Sequence, residues 1–398
     1  MTLVSYLGAL IGLAALPFAS HRMTLGRLLL ALSLMLVHIA ASVVYFLYVQ
    51  RYPADTTIYY FDQIHIAQHS FALGTIFTAK FVQFLKGSLG ASYLDCFVLF
   101  QAVGFWGVIF LMRTFEEIQV MANSGSAIWP NYLLFLPSLH FWTSAIGKDA
   151  PLFFAVSICT WSSIHLSRRF IPLSVAILTM VLFRPHVALL AVASLAAAAF
   201  FHREMRPASK ILLLGIAIGA LGVLAGTVHN TLGVDVSSAD SVSDFLRERS
   251  NITEMAKGGT AVISASFFAR LASLLFRPFF FDASGLFGII ASVENVGSIL
   301  LFISLLKNQR YFRFALKNSF SVKFMAMFSF LLIMMLTIVY YNVGLGIRQR
   351  VMVFPTLLSI FVAVRALRAY HAQAVLRENP DFLLNAGAEN KIVTASRG

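Results

Sequence analysis

The sequence has little charge and very few acidic residues. Only 12% of the 398 residues are charged, with 17 Asp or Glu against 30 Lys or Arg. A soluble globular domain usually carries about 25% charged residues. Long apolar runs stand in their place, with 38 phenylalanines and 59% hydrophobic residues overall. This composition predicts an all-α polytopic membrane protein rather than a soluble domain.

The common nucleotide-binding and hydrolase motifs are also missing. There is no P-loop, no GxGxxG after a strand, no GxSxG and no kinase signature, so ATP-driven transport and hydride transfer have no support. Cys96 and Cys159 form neither a CxxC motif nor a zinc-binding spacing. The formal net charge of +13 invites a nucleic-acid partner, but basic loops on the cytoplasmic face of a membrane protein explain it better.

Hydropathy predicts eleven membrane-spanning helices. Several are shorter than the usual length of about 20 residues, which indicates tilted or partly re-entrant segments. The predicted spans are 3–19, 28–49, 92–112, 128–146, 150–166, 170–183, 187–201, 211–228, 284–306, 324–342 and 351–366.

Basic residues between these spans set the predicted orientation. With eleven spans, six basic segments fall on one face, and the positive-inside rule makes that face cytoplasmic. The N-terminus then lies outside and the C-terminus inside. We expect one transmembrane domain over 1–370 and a disordered cytoplasmic tail over 371–398. The six segments hold Arg22 and Arg27, Arg113, Arg168 and Arg169, Arg203, Arg206 and Lys210, the run 307–323, and Arg365 and Arg368.

Two predicted outer segments, 50–91 and 229–283, are too long to be turns. The first continues into FALGTIFTAKFVQFLKGSLG and the second into SASFFARLASLLFRPFFFD. Apolar residues near helical spacing in both stretches predict amphipathic or re-entrant helices at the membrane interface. Loops of this length are usually functional or disordered.

Several charged residues lie at the outer mouths of predicted helices, where a charge is costly unless it is paired or used. Outer cations beside outer carboxylates indicate an anionic ligand, and a polyprenyl-linked phosphate would suit both the cations and the apolar interfacial helices. Simpler interpretations exist: a solvated turn pair, snorkelling arginines, a loop carboxylate or a structural histidine. The residues are Asp55, Asp62, Lys148, Asp149, Arg184, His186, Arg277, Arg348 and Arg350.

One pair of histidines has a spacing that suits a metal. His65 and His69 lie four residues apart in a predicted helix, with Asp62 three residues before His65. The sequence offers no HExxH pattern and no clear third ligand. We therefore assign no metal and no cofactor, and a divalent metal stays open as an alternative.

Short motifs follow one another in a recognisable order along most of the chain. They are Asp55 in the first outer loop, WTSAIGKD at 142–149, Arg184–Pro185, Arg277–Pro278, and Arg348 and Arg350 before Pro355. Together they resemble bacterial surface-polysaccharide polymerases of the EpsG-like kind and the wider GT-C class of polytopic glycosyltransferases. GT-C enzymes often carry two acids close together in that loop, whereas Asp55 stands seven residues before Asp62. The resemblance implies a GT-C-like bundle in the bacterial inner membrane with its active face outside.

The resemblance also implies a reaction. A polyprenyl-(di)phosphate-linked saccharide would donate its glycosyl group to an acceptor sugar hydroxyl, in exopolysaccharide, O-antigen or capsule biosynthesis, alongside other assembly proteins. A carboxylate would act as the general base and cations would stabilise the leaving phosphate. The candidate bases are Asp55, then Asp149, then Asp62; the phosphate ligands are Lys148, Arg277, Arg348 and Arg350, supported by Arg184 and His186; the sugar-stacking rings are Tyr59, Tyr60 and Trp142.

Three other functions stay open. A flippase or transporter of lipid-linked saccharide would use the same cations without chemistry, although no inverted repeat is clear. A non-catalytic membrane subunit of a polysaccharide assembly complex would need no active site. The third is an outer acyl- or phospho-group transferase. A membrane-bound acyltransferase would need a catalytic histidine at depth, and His38, His140 and His165 have no evident partners in the sequence.

Overall fold

In a computed structural model of the chain, the described residues form α-helices and short 3₁₀ turns, with no strand among them. The described residues are 2–19, 24–52, 54–62, 72–123, 129–202, 266–283, 285–339 and 343–378, with a few positions between 207 and 219. The predicted all-α class is therefore confirmed over this part of the chain.

We number the α-helices with defined bounds in chain order. Two 3₁₀ turns, Pro17–Ala19 and Trp129–Phe135, lie between them. The helices are α1 (Leu3–Ala14), α2 (Leu25–Arg51), α3 (Asp55–Phe61), α4 (Thr75–Leu89), α5 (Tyr93–Met121), α6 (Pro137–Thr143), α7 (Asp149–Ile164), α8 (Phe170–Phe183), α9 (Pro185–Phe200), α10 (Phe267–Phe276), α11 (Gly285–Lys307), α12 (Gln309–Asn318), α13 (Phe320–Val339), α14 (Val343–Arg350) and α15 (Phe354–Glu378).

Four of these helices, α2, α5, α11 and α13, are long and apolar enough to cross a membrane. Helices α14 and α15 meet at 58° and together would make a fifth span. The other apolar helices are shorter, and the predicted segment 211–228 lies mostly outside the described residues. Large apolar side chains on the outer surface of α2, such as Leu29, Leu36 and Leu47, are exposed, as expected for a lipid-facing helix. Eleven spans stay a prediction.

One predicted span, 128–146, takes a different form. The structure divides it into the 3₁₀ turn Trp129–Phe135 and the short helix α6. Proline explains the division, because Pro137 occupies the first turn of α6, where its missing N–H costs nothing, and cannot sit inside a longer helix without breaking it. Residues 144–148 then bend before α7 begins at Asp149.

Both predicted interfacial stretches contain helices. Helix α4 lies in the first outer segment and α10 in the second, while residues 229–265 lie outside the described part of the chain. At the C-terminus, α15 continues to Glu378, so the first eight residues of the predicted tail 371–398 are helical, and the rest of that tail lies outside the described residues.

Helix α5 is the centre of the packing, with contacts to α1, α2, α7 and α15. Glycines allow this close approach. A Cβ atom at Gly104 would lie 1.8 Å from the carbonyl oxygen of Thr143, and one at Gly107 would lie 2.5 Å from Cδ1 of Phe153. Beside Gly104, His38 and His140 are fully buried, with their Nδ1 atoms 3.0 Å apart, a pairing that their sequence positions do not reveal.

Two clusters of charged residues lie at opposite ends of the molecule, and α7 runs from one cluster to the other. At its start, which we call the Asp149 end, Arg184 and Arg348 contact Asp149. At its far end, which we call the Glu117 end, Trp161 and Arg169 both donate to Glu117 Oε1 at 2.9 Å. The guanidinium of Arg169 also lies 3.6 Å from the ring centroid of Trp161.

Candidate functional site

Five charged residues at the Asp149 end lie at helix termini, and the signs of Asp55, Asp149 and Arg348 match the helix dipole there. Asp55 and Asp149 are the first residues of α3 and α7, where the helix dipole favours a negative charge. Arg348 is in the last turn of α14, where a positive charge is favoured, and Arg184 joins two helices as the C-cap of α8 and the N-cap of α9. Lys148 completes the set. We name Asp55, Lys148, Asp149, Arg184 and Arg348 the carboxylate–arginine cluster.

Arg348 connects the two carboxylates of this cluster. Its Nη1 donates to Oδ2 of Asp55 at 2.8 Å, and its Nε donates to Oδ2 of Asp149. The other oxygen of Asp149 accepts from Nη2 of Arg184 at 2.9 Å. Residues 55, 149, 184 and 348 are thus joined in one network built from α3, α7, α8 and α14.

The two carboxylates differ in access. The side chain of Asp149 is 8% exposed and both of its oxygens are bound to arginines, whereas that of Asp55 is 45% exposed. Burial alone would raise the pKa of the Asp55 carboxyl, but the charge and hydrogen bond of Arg348 outweigh it and hold that pKa below its usual value. Asp149 is therefore built to position arginines, and Asp55 is the carboxylate that a ligand can reach.

Lys148 lies at the edge of the same cluster. It is the N-cap of α7, and its Nζ donates to Oγ1 of Thr75 at 2.9 Å. Thr75 is placed by the turn at Gly74, whose positive φ of 77° suits glycine and whose N–H donates to Leu182 O at 2.8 Å. Burial, reinforced by the positive charge of Arg184, lowers the pKa of Lys148 to about 8. With Lys148, cations outnumber carboxylates in the cluster.

Aromatic residues line one side of the cluster. The ring centroid of Trp142 lies 5.9 Å from the guanidinium carbon of Arg348, within cation–π range. Tyr45 packs edge-on against Trp142 and interacts electrostatically with Arg348, Asp149 and Asp55. Sequence reasoning missed Tyr45 and Thr75, since each lies in an apolar helical segment with no motif around it.

The three rings predicted to stack on sugar are placed differently from one another. Trp142 is half-buried beside Arg348. Tyr59 is 2% exposed, and its hydroxyl interacts with Asp55, while burial, followed by the Asp55 charge, raises its pKa. Tyr60 points away from the cluster, donating to Ala91 O at 2.9 Å under the ammonium of Lys86. Burial of both tyrosines favours structural roles, and Trp142 is the one of the three that is both beside the cluster and partly exposed.

Arg350 is the centre of a second polar group. Its side chain donates to Leu275 O at 2.8 Å, to Asn295 Oδ1 at 2.6 Å and to Arg277 O at 3.1 Å. Asn295 in turn donates to Pro278 O at 2.7 Å, and the Arg277 Nε–Asp282 Oδ2 distance is 2.5 Å. Arg350, predicted to bind phosphate, therefore holds the chain between α10 and α11 in place. Arg277 is more accessible, with 27% of its side chain exposed.

The remaining predicted site residues lie around the cluster or apart from it. His186, in the first turn of α9, is half-buried and interacts with the charges of Arg184 and Lys148. Asp62 caps the far end of the seven-residue helix α3, about 10 Å along the chain from Asp55. His65 and His69 lie outside the described residues.

An apolar cavity of about 180 Å³ opens beside Arg350. It runs between α11 and α15, from the level of Ser298 and Val353 to that of Leu305 and Phe361, and α10 and α13 close its sides. Its lining is aliphatic and aromatic apart from Arg350 and Ser298. The cavity and the carboxylate–arginine cluster therefore lie on either side of α14.

Among the described residues, no group of three or more His, Cys, Asp or Glu side chains is arranged to hold a metal ion. Glu294, in the middle of α11, instead accepts the backbone N–H of Ser138 at 2.7 Å and so caps the start of α6. Comparison with protein-family models, curated proteins and solved structures finds no match to this chain. The geometry of the site is therefore the basis for assigning a function.

Proposed function

We propose that the chain transfers a glycosyl group from a polyprenyl-(di)phosphate-linked saccharide to an acceptor sugar, at the outer face of the bacterial inner membrane. The observation that carries the proposal is the placement of Asp55. A partly exposed carboxylate shares an arginine with a buried one, and two further cations lie beside them. Cations that attract phosphate and a carboxylate that accepts a proton are the groups this reaction needs.

In the proposed reaction, Asp55 accepts the proton of the acceptor hydroxyl as its oxygen bonds to the anomeric carbon. The bond from that carbon to the phosphate oxygen breaks, and its electron pair leaves on the phosphate. Arg348, Arg184 and Lys148 stabilise the negative charge that grows there. Atoms and charge balance without a metal or redox cofactor.

The bond between Arg348 and Asp55 links ligand binding to proton transfer. While Arg348 holds Asp55, the pKa of that carboxyl is low and the carboxylate is a weak base. A phosphate that competes for Arg348 would weaken this ion pair, and the pKa of Asp55 would rise. Base strength would then increase only when the donor is in place, which limits unproductive hydrolysis.

Asp149 has a separate role in this scheme. Each of its oxygens binds one arginine, so it fixes the spacing of Arg184 and Arg348 for a phosphate. It is a positioning residue, because an arginine holds each oxygen and only 8% of the side chain is exposed to a substrate.

The apolar cavity beside Arg350 is our candidate for the lipid tail of the donor. Its walls are apolar, and it begins next to the helix that carries Arg348. A volume of about 180 Å³ equals that of about six waters, since a water occupies about 30 Å³ in the liquid. The cavity therefore holds on the order of one five-carbon isoprene unit. The cavity lies across α14 from the cluster, so it would take a section of the prenyl chain beyond the units that pass this helix, while the phosphates bind the cluster.

The test compares two matched variants in cells that produce the surface polysaccharide. Asp55→Asn and Asp62→Asn remove the same charge from the two ends of α3. At equal membrane abundance, we expect Asp55→Asn to abolish long polymer and to accumulate an unpolymerised lipid-linked unit on the outer leaflet, while Asp62→Asn keeps normal polymer. Accumulation of that unit on the inner leaflet would instead favour a flippase, and normal polymer in Asp55→Asn would rule out the assigned base.

A further inference from the structure

Helix α12 lies at the Glu117 end, between two helices that are long and apolar enough to cross a membrane. It joins the end of α11 to the start of α13. Phe312 packs in a small core with Ala363 and Val322, and Ile118 near the end of α5 reaches the same core. Since α11 and α13 would end and begin at a membrane boundary, both ends of α12 would lie at that boundary.

The two sides of α12 differ sharply in chemistry. Ala315 is buried and Phe312 half-buried on the side that faces α15 and α13. Arg310, Arg313 and Lys317 are all exposed, and their i, i+3, i+7 spacing places them on one face. Lys307, at the end of α11, is exposed directly before this face.

In the part of the chain that the structure describes, acidic residues near this face are few. From residue 295 to residue 377 the sequence contains no Asp or Glu. The carboxylates that the structure describes at this end already have cationic partners: Glu116 lies 3.9 Å from Arg27, and Glu117 contacts Arg113 and Arg169. On α12 itself, Arg313 donates to the neutral side chain of Gln309 at 3.0 Å.

An apolar ring lies at the edge of the cationic face. Phe314 is 58% exposed, and it follows Arg310 by four residues and precedes Lys317 by three. A cationic face with an exposed aromatic ring beside it, on a helix that joins two spans at a membrane boundary, is typical of a helix in the headgroup layer. Neither a nucleic acid nor an acidic peptide would account for Phe314 at that boundary.

We infer that Arg310, Arg313 and Lys317 of α12 form a binding surface for the phosphates of anionic phospholipids in the leaflet at the Glu117 end, with Phe314 inserted among the acyl chains. The three cations attract the headgroups, and the packed side of the helix fixes them at headgroup depth. This surface is distinct from the carboxylate–arginine cluster and does not depend on the proposed reaction.

Lipid competition on the full-length protein tests this inference. The purified protein is equilibrated with equal amounts of phosphatidylglycerol and phosphatidylcholine, and retained lipids are counted by native mass spectrometry. We expect wild type to retain phosphatidylglycerol several-fold over phosphatidylcholine. The double variant Arg310→Gln with Lys317→Gln should lose at least half of that preference, and added salt should reduce the preference of wild type because it screens exposed charges.

Arg51→Gln with Lys80→Gln is the matched control, since it removes two positive charges from helices α2 and α4. This control should keep the wild-type preference. An equal loss in the control would show a general effect of net charge and overturn the inference, as would an unchanged preference in the α12 variant. If the α12 variant unfolds, Arg310→Lys with Arg313→Lys provides a second test, because it keeps both positive charges. This variant must keep the preference for phosphatidylglycerol, and a loss of that preference would also contradict the proposal.

Discussion

Arg348 and Arg350 lie two residues apart in α14, yet their guanidinium groups face opposite sides of that helix. Arg348 binds the carboxylates of Asp55 and Asp149, while Arg350 binds the chain between α10 and α11. Residues i and i+2 of an α-helix point about 200° apart around its axis, since each residue turns the helix by about 100°. This one helix therefore separates a charged site, open through Asp55, from an apolar cavity that begins at Arg350.

We predict that Arg350→Gln destabilises the fold more than it changes ligand binding. The substitution removes hydrogen bonds to three acceptors, Leu275 O, Asn295 Oδ1 and Arg277 O. A lost hydrogen bond costs about 1 kcal/mol, so the loss should be about 3 kcal/mol. Thermal unfolding in detergent measures it. Arg51→Gln, at an exposed arginine in the last turn of α2, should stay close to wild type, and equal midpoints for the two variants would contradict the assigned role.

We predict that Asp149→Asn and Arg184→Gln are coupled. Asp149 holds Arg184 at 2.9 Å and also holds Arg348, so either single change disturbs the same network. In a double-mutant cycle on phosphate affinity, the combined loss should be smaller than the sum of the single losses by about 1 kcal/mol or more. Additive losses would mean that Asp149 does not position Arg184 for the ligand.

The pKa of Lys148 predicts opposite effects of pH on binding and on stability. Because that pKa is about 8, phosphate binding should weaken as the pH rises through 8 and the ammonium loses its proton. The unfolded chain keeps that proton up to about pH 10.4, so stability should rise with pH over the same interval. Lys148→Arg should move the alkaline limb of binding to higher pH. A profile that Lys148→Arg leaves unchanged would assign the limb to another group.

Two glycine substitutions test the close packing beneath the site. Gly104→Ala should destabilise the protein by about 3 kcal/mol or more, because its Cβ would meet the Thr143 carbonyl oxygen at 1.8 Å and the helices would have to separate. A Cβ at Gly26, in α2, would have no atom within 4 Å, so Gly26→Ala should be neutral or stabilise by up to about 1 kcal/mol. Unfolding midpoints of the two variants compare these outcomes directly, and a tolerated Gly104→Ala would place α5 and α6 further apart.

Local patterns in the sequence predicted much of the helix placement. The apolar run 170–183 coincides with α8, and Lys148–Asp149, a polar pair between apolar stretches, lies where α6 leads into α7. Pro137 is the exception, since it divides a run whose hydropathy alone reads as one span.

Side-chain partners could not be predicted in the same way. Asp149 and Arg348 are 199 positions apart, and no local pattern distinguishes Arg348 from Arg350. Their different partners follow from the direction that α14 takes, which tertiary packing sets. The same holds for Tyr45 and for the pair His38–His140, which distant helices bring together.

The central claim is that the carboxylate–arginine cluster binds the phosphates of a lipid-linked donor. The most direct measurement compares the affinity of the purified protein for a polyprenyl diphosphate and for the matching polyprenol, which lacks phosphate. We expect the diphosphate to bind at least about tenfold more tightly, since a charge-assisted hydrogen bond contributes about 1.5–3 kcal/mol. Arg348→Gln should remove most of that difference in affinity, while Arg51→Gln should preserve it. Equal affinity for the two lipids, or a phosphate preference that Arg348→Gln leaves intact, would contradict the account.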